Sequence, residues 1–160
     1  MEVEAAGAAT AVARCKKGRR AISGGFDTPG ADPAARPIIA YESRRAGKRR
    51  WMVVASNTGG EGGELEAQVY CRKAKTLRVS RGSETLTGPG PVDADVIAGC
   101  RRGERVVSGG FASDTVPLPG KGMLVDITAS RKVGKRKWRV SAIAIGTQPT
   151  ITVFAYCENA

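Results

Sequence analysis

Histidine is absent from the 160 residues. That absence removes Ser-His-Asp and Cys-His nucleophile systems, every zinc site that needs imidazole, and any imidazole pH switch. Aromatic residues make up only 5% of the chain, so stability has to come from aliphatic packing and cross-links rather than from large rings. Long apolar runs are missing as well. The longest, Trp51 to Ala55 and Ala142 to Ile145, fall far short of the roughly 20 residues a membrane helix needs, and no membrane insertion is expected. The opening residues, Met1-Glu2-Val3-Glu4-Ala5-Ala6-Gly7, lack the basic and apolar regions of a secretory signal.

What is present points to short strands and many turns. There are 21 glycines and 8 prolines among Val, Ala and Ile, the composition of an all-β chain. Lys and Arg number 26 against 15 Asp and Glu, a formal charge of +11, which suggests an anionic partner or surface.

The strongest signal is an internal repeat. Cys15-Lys16-Lys17-Gly18-Arg19-Arg20-Ala21-Ile22-Ser23-Gly24-Gly25-Phe26 recurs 85 positions later as Cys100-Arg101-Arg102-Gly103-Glu104-Arg105-Val106-Val107-Ser108-Gly109-Gly110-Phe111. Ser43 to Trp51 returns as Ser130 to Trp138, and Val69-Tyr70-Cys71 as Ala155-Tyr156-Cys157. Shared landmarks in one order indicate tandem duplication of a structural unit. The division expected is a first β repeat over 1–74, possibly truncated at its N-terminal side, a linker or opening strand over 75–92, and a second repeat over 93–160.

Within each copy the apolar period is two. Leu65, Ala67, Val69 and Cys71 alternate with Glu66, Gln68 and Tyr70, and Ile151, Val153, Ala155 and Cys157 alternate with Thr152, Phe154 and Tyr156, as in half-buried antiparallel strands. Trp51, Val53 and Ala55 match Trp138, Val140 and Ala142, which places both tryptophans on the core side. Strands are predicted near 8–14, 19–26, 37–43, 49–57 and 63–71, then 93–99, 104–111, 123–130, 136–145 and 149–157. Between the copies, Gly88-Pro89-Gly90-Pro91 reads as turn or linker. Thr76 to Ser80 reads as one more strand: if it opens the second unit, its counterpart in the first falls before Met1, and otherwise the first unit borrows it.

The cysteines repeat in register. Cys15 and Cys71 are 56 apart, Cys100 and Cys157 are 57 apart, each pair bracketing one unit. Four cysteines allow three pairings; the duplication favours Cys15 with Cys71 and Cys100 with Cys157, each worth about 4 kcal/mol by loop-closure entropy. A four-cysteine zinc site and free thiols are the rival readings, though zinc ligands normally come in C-x-x-C pairs and here each cysteine stands alone. Disulfides imply an oxidising compartment, so an extracellular or cell-envelope location is expected.

Taken together, Cys-x-x-Gly-x-x-x-x-Ser-Gly-Gly-Phe, a Trp strand followed by Asn57, and a closing Ala/Val-Tyr-Cys resemble a repeat of exported proteins from high-GC Gram-positive bacteria. The resemblance covers roughly 10–74 and 94–158 and implies a secreted or surface β-module without an established activity. The chain departs from that pattern in having Ala144 where the first copy has Asn57, and in its unusually basic hairpin turns.

Those turns are the candidate binding residues. Arg44, Arg45, Lys48, Arg49 and Arg50 match Arg131, Lys132, Lys135, Arg136 and Lys137. Gly47 and Gly134 mark the tips, so each cluster is expected to project as a charged finger able to meet phosphates, sulfates or carboxylates. The other reading is that basic turns keep edge strands soluble. A second basic group, Lys16, Lys17, Arg19 and Arg20, is matched by Arg101, Arg102 and Arg105 and interrupted by Glu104. For nucleic acid, only sequence-independent backbone contact is expected, since few aromatics are free to stack on bases.

Nothing in the chain marks an active site. Ser23-Gly24-Gly25-Phe26 and Ser108-Gly109-Gly110-Phe111 fit neither a phosphate loop nor a nucleophile elbow, and read as a bulge or close backbone approach with the Phe packed below. Glu61, Glu64 and Glu66 lack calcium-loop spacing, and Asp93 and Asp95 have no repeated equivalents. The expectation is therefore an all-β protein of two tandem homologous antiparallel units, sandwich or prism-like, each tied by one disulfide. It is expected to be a non-enzyme without metal or cofactor. Its expected partner is an anionic polysaccharide, a cell-wall polyanion or a nucleic-acid backbone, with a structural spacer or surface-display repeat as the alternative.

Overall fold

Period-two patterning runs through most of the chain, and strands follow from it. The computed structural model describes residues 1–4, 7–29, 38–59, 61–73, 77–88, 90–116, 124–146 and 148–160. Residues 37, 76, 89 and 123, which fall within predicted elements, lie outside that set. The strands are β1 (Glu2–Val3), β2 (Ala8–Arg14), β3 (Arg20–Asp27), β4 (Ile38–Arg45), β5 (Arg50–Asn57), β6 (Gly63–Glu64), β7 (Glu66–Arg72), β8 (Arg78–Thr85), β9 (Val92–Gly99), β10 (Glu104–Ser113), β11 (Leu124–Val133), β12 (Lys137–Ile145) and β13 (Thr150–Asn159).

All pairings are antiparallel, and their order is the same in both copies. In the first copy β2-β5-β4 forms a three-stranded set and β3 pairs β7; in the second, β9-β12-β11 and β10-β13 do the same. β8 adds to the outer edge of β13, so the predicted strand near 76–80 belongs to the second copy and is not borrowed by the first. The copies share a sheet: β4 pairs β10, with Ser43 opposite Phe111 and Glu42 opposite Ala112, giving one six-stranded order β2-β5-β4-β10-β13-β8.

The core holds Trp51, Val53, Leu65, Val106, Val125, Val140, Ile151 and Val153, each almost fully buried. Two disulfides, Cys15–Cys71 and Cys100–Cys157, close the copies with Cα atoms 5.7 Å apart in each. Among the described residues no helix is long and apolar enough to cross a membrane.

Three burial expectations change. Phe154 and Tyr156, assigned by alternation to an outer face, are 8% and 1% exposed, because Trp51, Arg44 and Arg45 of the first copy and Arg81 of β8 cover that face of β13. Trp138 is only half-buried whereas Trp51 is buried, and Phe26 is 40% exposed whereas Phe111 is buried. Asn57 explains its own departure from Ala144: its amide donates to the Val3 and Glu61 carbonyls and its oxygen accepts from Gly59 N–H at 2.9 Å. These bonds tie the loop after β5 to β1; Ala144, with no side-chain polar group to do the same, sits in apolar packing.

Candidate functional site

Each basic hairpin is fixed by backbone groups rather than left free. In the first copy Cys15 N–H donates to the Arg49 carbonyl at 2.8 Å and Ala21 N–H to the Lys48 carbonyl at 3.0 Å. The second copy repeats both, with Cys100 N–H on Arg136 at 2.8 Å and Val106 N–H on Lys135 at 3.0 Å. The tip glycines take the left-handed conformation expected of them, with φ of 96° at Gly47 and 68° at Gly134. The tip is therefore laid against the turn that follows the first cysteine, and the two basic groups of each copy become one surface. A cleft beside the first tip is lined by Arg14, Cys15, Gly47, Lys48, Arg49 and Arg50.

Both surfaces lie at one end of the molecule. Since β4 and β10 are antiparallel, advancing along β4 toward Lys48 moves back along β10 toward Glu104. Glu158 bridges the two ends, meeting Arg72 of the first copy and Arg105 of the second. Lys16, Lys17, Arg19, Lys48, Arg49 and Arg50 are exposed, as are Arg101, Arg102, Arg105, Lys135, Arg136 and Lys137. The opposite strand ends carry Asp27, Glu64, Glu66, Glu84, Asp93 and Asp114, so the charge is polarised along the strands.

The ten hairpin candidates are not equivalent. Arg44 pairs with Glu42 and lies 5.8 Å from the Phe154 ring centre. Arg45 lies 4.8 Å over Tyr156, donates to the Leu77 carbonyl at 3.2 Å, and gives its backbone N–H to the Tyr156 hydroxyl at 2.8 Å. Burial lowers the Arg45 pKa and raises that of Tyr156. These two arginines hold the copies together. Lys48, Arg49 and Arg50 stay exposed, with Arg50 Nε bonded only to its own turn at Ala46 O. Arg131, Lys132, Lys135, Arg136 and Lys137 are all exposed.

Glu104, which interrupts the second basic turn, is engaged internally. Arg78 forks onto it, Nε to Oε1 at 2.8 Å and Nη2 to Oε2 at 2.5 Å, and Arg101 N–H adds a third bond at 2.8 Å. The Arg78 hydrogen bonds, helped by the Arg101 amide, bring its carboxyl down to about 2. Cys100, Glu104 and Cys157 gather as potential metal ligands, but both sulfurs are spent in a disulfide and the carboxylate on Arg78.

The Ser-Gly-Gly-Phe motifs meet at the junction of the copies. A cleft of about 330 Å³ is lined by Ser23 to Phe26, Gly109 to Phe111, both tryptophans, Ser43 and Ser130, with no ionisable side chain among them. A Cβ on Gly24 would fall in the Trp51 ring and one on Gly109 in the Trp138 ring. The close approach expected of these glycines is thus to tryptophan. Register shifts at Ala21/Ser23 and at Val106/Ser108 supply the expected bulge in both copies. Sequence reasoning missed the partner of each indole: Trp51 Nε1 donates to Ser43 Oγ at 3.0 Å and Trp138 Nε1 to Ser130 Oγ at 2.9 Å. The signal was available in the serine kept eight residues before tryptophan in both copies.

Comparison of the chain with known protein families, curated proteins and solved structures finds no match.

Proposed function

We propose that the protein is a non-enzymatic extracellular or cell-envelope β-module that holds an anionic polymer at its basic end. The observation that carries this reading is the repeated pair of backbone hydrogen bonds that lays each basic tip on a basic turn, with both surfaces at one end of the shared sheet. Binding of this kind is backbone-type and sequence-independent: cations along a polymer displace counterions, so affinity falls steeply with salt. A cell-wall polyanion, an acidic polysaccharide and a nucleic-acid backbone share that chemistry. Two disulfides support an oxidising location, and the resemblance to an exported repeat agrees with it.

The test compares salt elution from heparin and from a cation exchanger of matched charge density. The variants carry Gln at Lys48, Arg49 and Arg50, at Lys135, Arg136 and Lys137, or at all six; Arg44 and Arg45 are left intact because they hold the junction. Wild type should leave heparin at clearly higher salt than the exchanger, and each triple variant should lose part of that excess. Equal release from both resins would overturn the reading and leave the charge to solubility, as in a structural spacer.

A further inference from the structure

The repeat relates two seams between the copies, and only one of them is closed. In the first, β4 lies on β10, with Ser43 opposite Phe111 and Glu42 opposite Ala112. Their counterparts are β11 and β3, where the same register would set Ser130 opposite Phe26 and Ala129 opposite Asp27. Among the described residues, however, β11 pairs only β12 and β3 pairs only β7.

Counterpart residues record the difference. A Cβ on Gly110 would lie 2.4 Å from the Ser43 carbonyl oxygen, whereas one on Gly25 meets nothing within 4 Å among the described residues. Phe111 is 6% exposed and Phe26 40%; Ser43 is buried and Ser130 exposed. The cleft of about 330 Å³ between the Ser-Gly-Gly-Phe motifs is therefore the second seam left open. Its volume falls within the range of small-ligand sites, which combine apolar walls with a few polar groups.

The walls say what fits. Phe26 and Trp138 bring ring surface, Ser23 and Ser130 bring hydroxyls, and the outer edges of β3 and β11 bring backbone N–H and C=O groups with no strand partner among the described residues. Ser130 Oγ accepts from the Trp138 indole at 2.9 Å, which leaves its own O–H to donate onward. Lys132 stands directly opposite Trp138 in the β11–β12 ladder, so the two share a face. Its counterpart Arg45 is engaged by Tyr156 and the Leu77 carbonyl, but Lys132 is exposed and has no carboxylate partner among the described residues. A ring that turns C–H groups to an aromatic face, hydroxyls to serines and strand edges, and a carboxylate to a lysine is a sugar acid. A nucleobase calls instead for amide, carboxylate or guanidinium groups along its edge, and the cleft is lined by none.

We propose that the open seam is a saccharide site that holds one ring of an acidic polysaccharide against Trp138 and Phe26, its carboxylate on Lys132. This rests on the polyanion reading above and narrows it to one class of polymer.

The probe is a tetramer of galacturonic acid, titrated onto the full chain by calorimetry and by acrylamide quenching of tryptophan emission. Tripolyphosphate and tetrathymidylate are the comparisons. Trp51 is 1% exposed, so quenching reports Trp138. The galacturonate should protect Trp138, while tripolyphosphate, which has charge but no ring, should bind without protecting it. Gly25→Leu fills the cleft from a position with room for a side chain and should weaken galacturonate binding about tenfold, the scale of one lost ring contact. Lys132→Gln, at an exposed site that folding tolerates, should weaken it about threefold. Galacturonate that binds without protecting Trp138, or that protects it equally in Gly25→Leu protein, would overturn the proposal and leave the polyanion reading standing. Failure of both galacturonate and tripolyphosphate to bind would overturn the two together. Tetrathymidylate that protects Trp138 as well as galacturonate does would overturn it in favour of a base. A free protein whose Trp138 is already shielded would overturn it too, since the seam is then closed by the chain's own strands or by a second copy.

Discussion

Trp51 and Tyr156 meet edge to face across the junction of the two copies, ring centres 5.7 Å apart at 70°. Their counterparts, Trp138 and Tyr70, make no such contact, since Tyr70 stands 61% exposed. The repeated sequence thus builds one closed and one open arrangement. Tyr156→Phe should cost about 1–3 kcal/mol in urea unfolding, because it leaves the Arg45 N–H without its buried acceptor. Tyr70→Phe should stay within about 0.5 kcal/mol, as at other exposed sites.

Gly24 and Gly109 each face an indole, but not equally fixed ones. A methyl at Gly24 meets Trp51, 1% exposed, bonded to Ser43 and pressed by Tyr156. A methyl at Gly109 meets half-buried Trp138, which has room to shift toward solvent. Gly24→Ala should therefore destabilise by about 1–3 kcal/mol, the scale of overpacking, and Gly109→Ala by less. Denaturation midpoints of the two variants check the order.

The disulfides should differ in accessibility. Cys157 is 1% exposed beneath β8, while Cys71 is half-buried, with no strand laid over it among the described residues. Limiting reductant followed by alkylation and peptide mass analysis should label Cys15 and Cys71 before Cys100 and Cys157. Loss of either bridge by paired serine substitution should cost about 4 kcal/mol for loops of this length.

Glu104 predicts a pH dependence. Its carboxyl lies at about 2, below the ordinary 4.5, through the Arg78 hydrogen bonds first and the Arg101 amide next. A depressed carboxylate contributes stability that is present in full above its unfolded value and is lost as pH falls through the folded one. Wild-type stability should hence decline between about 4.5 and about 2. Glu104→Gln should be less stable than wild type at neutral pH and converge on it toward the acid end, measured by urea midpoints across that range.

Strand positions were readable because alternation depends on neighbours within a strand: 8–14 coincides with β2 and 104–111 falls within β10. The disulfide partners were readable because the register of the repeat favours one of the three pairings, the one the structure holds. Burial of Phe154 and Tyr156 was not, since the groups covering them come from elsewhere in the fold: Trp51, Arg44 and Arg45 from the other copy, and Arg81 from β8. The strand expected near 76–80 runs to Thr85, because Arg81-Gly82-Ser83-Glu84 has no apolar alternation to mark it and is held by the β13 ladder, with Arg81 over Phe154 and Ser83 on Thr152. The basic residues were visible as a repeat; their union into one surface was not, for it rests on the carbonyls of Lys48, Arg49, Lys135 and Arg136, which side-chain patterns do not report.

The near-identity of the Tyr70-Cys71 and Tyr156-Cys157 strand ends bears on how the chain acquires its covalent form. During oxidative folding two thiols present almost the same local address, and crossed joining of Cys15 to Cys157 and Cys71 to Cys100 competes with the native outcome. Only the ladders distinguish them: β3 must find β7, and β10 must find β13, before oxidation locks the choice. Scrambled isomers would share one mass and differ in hydrodynamic size, so a refolding mixture would separate on a sizing column where a mass spectrum shows a single species.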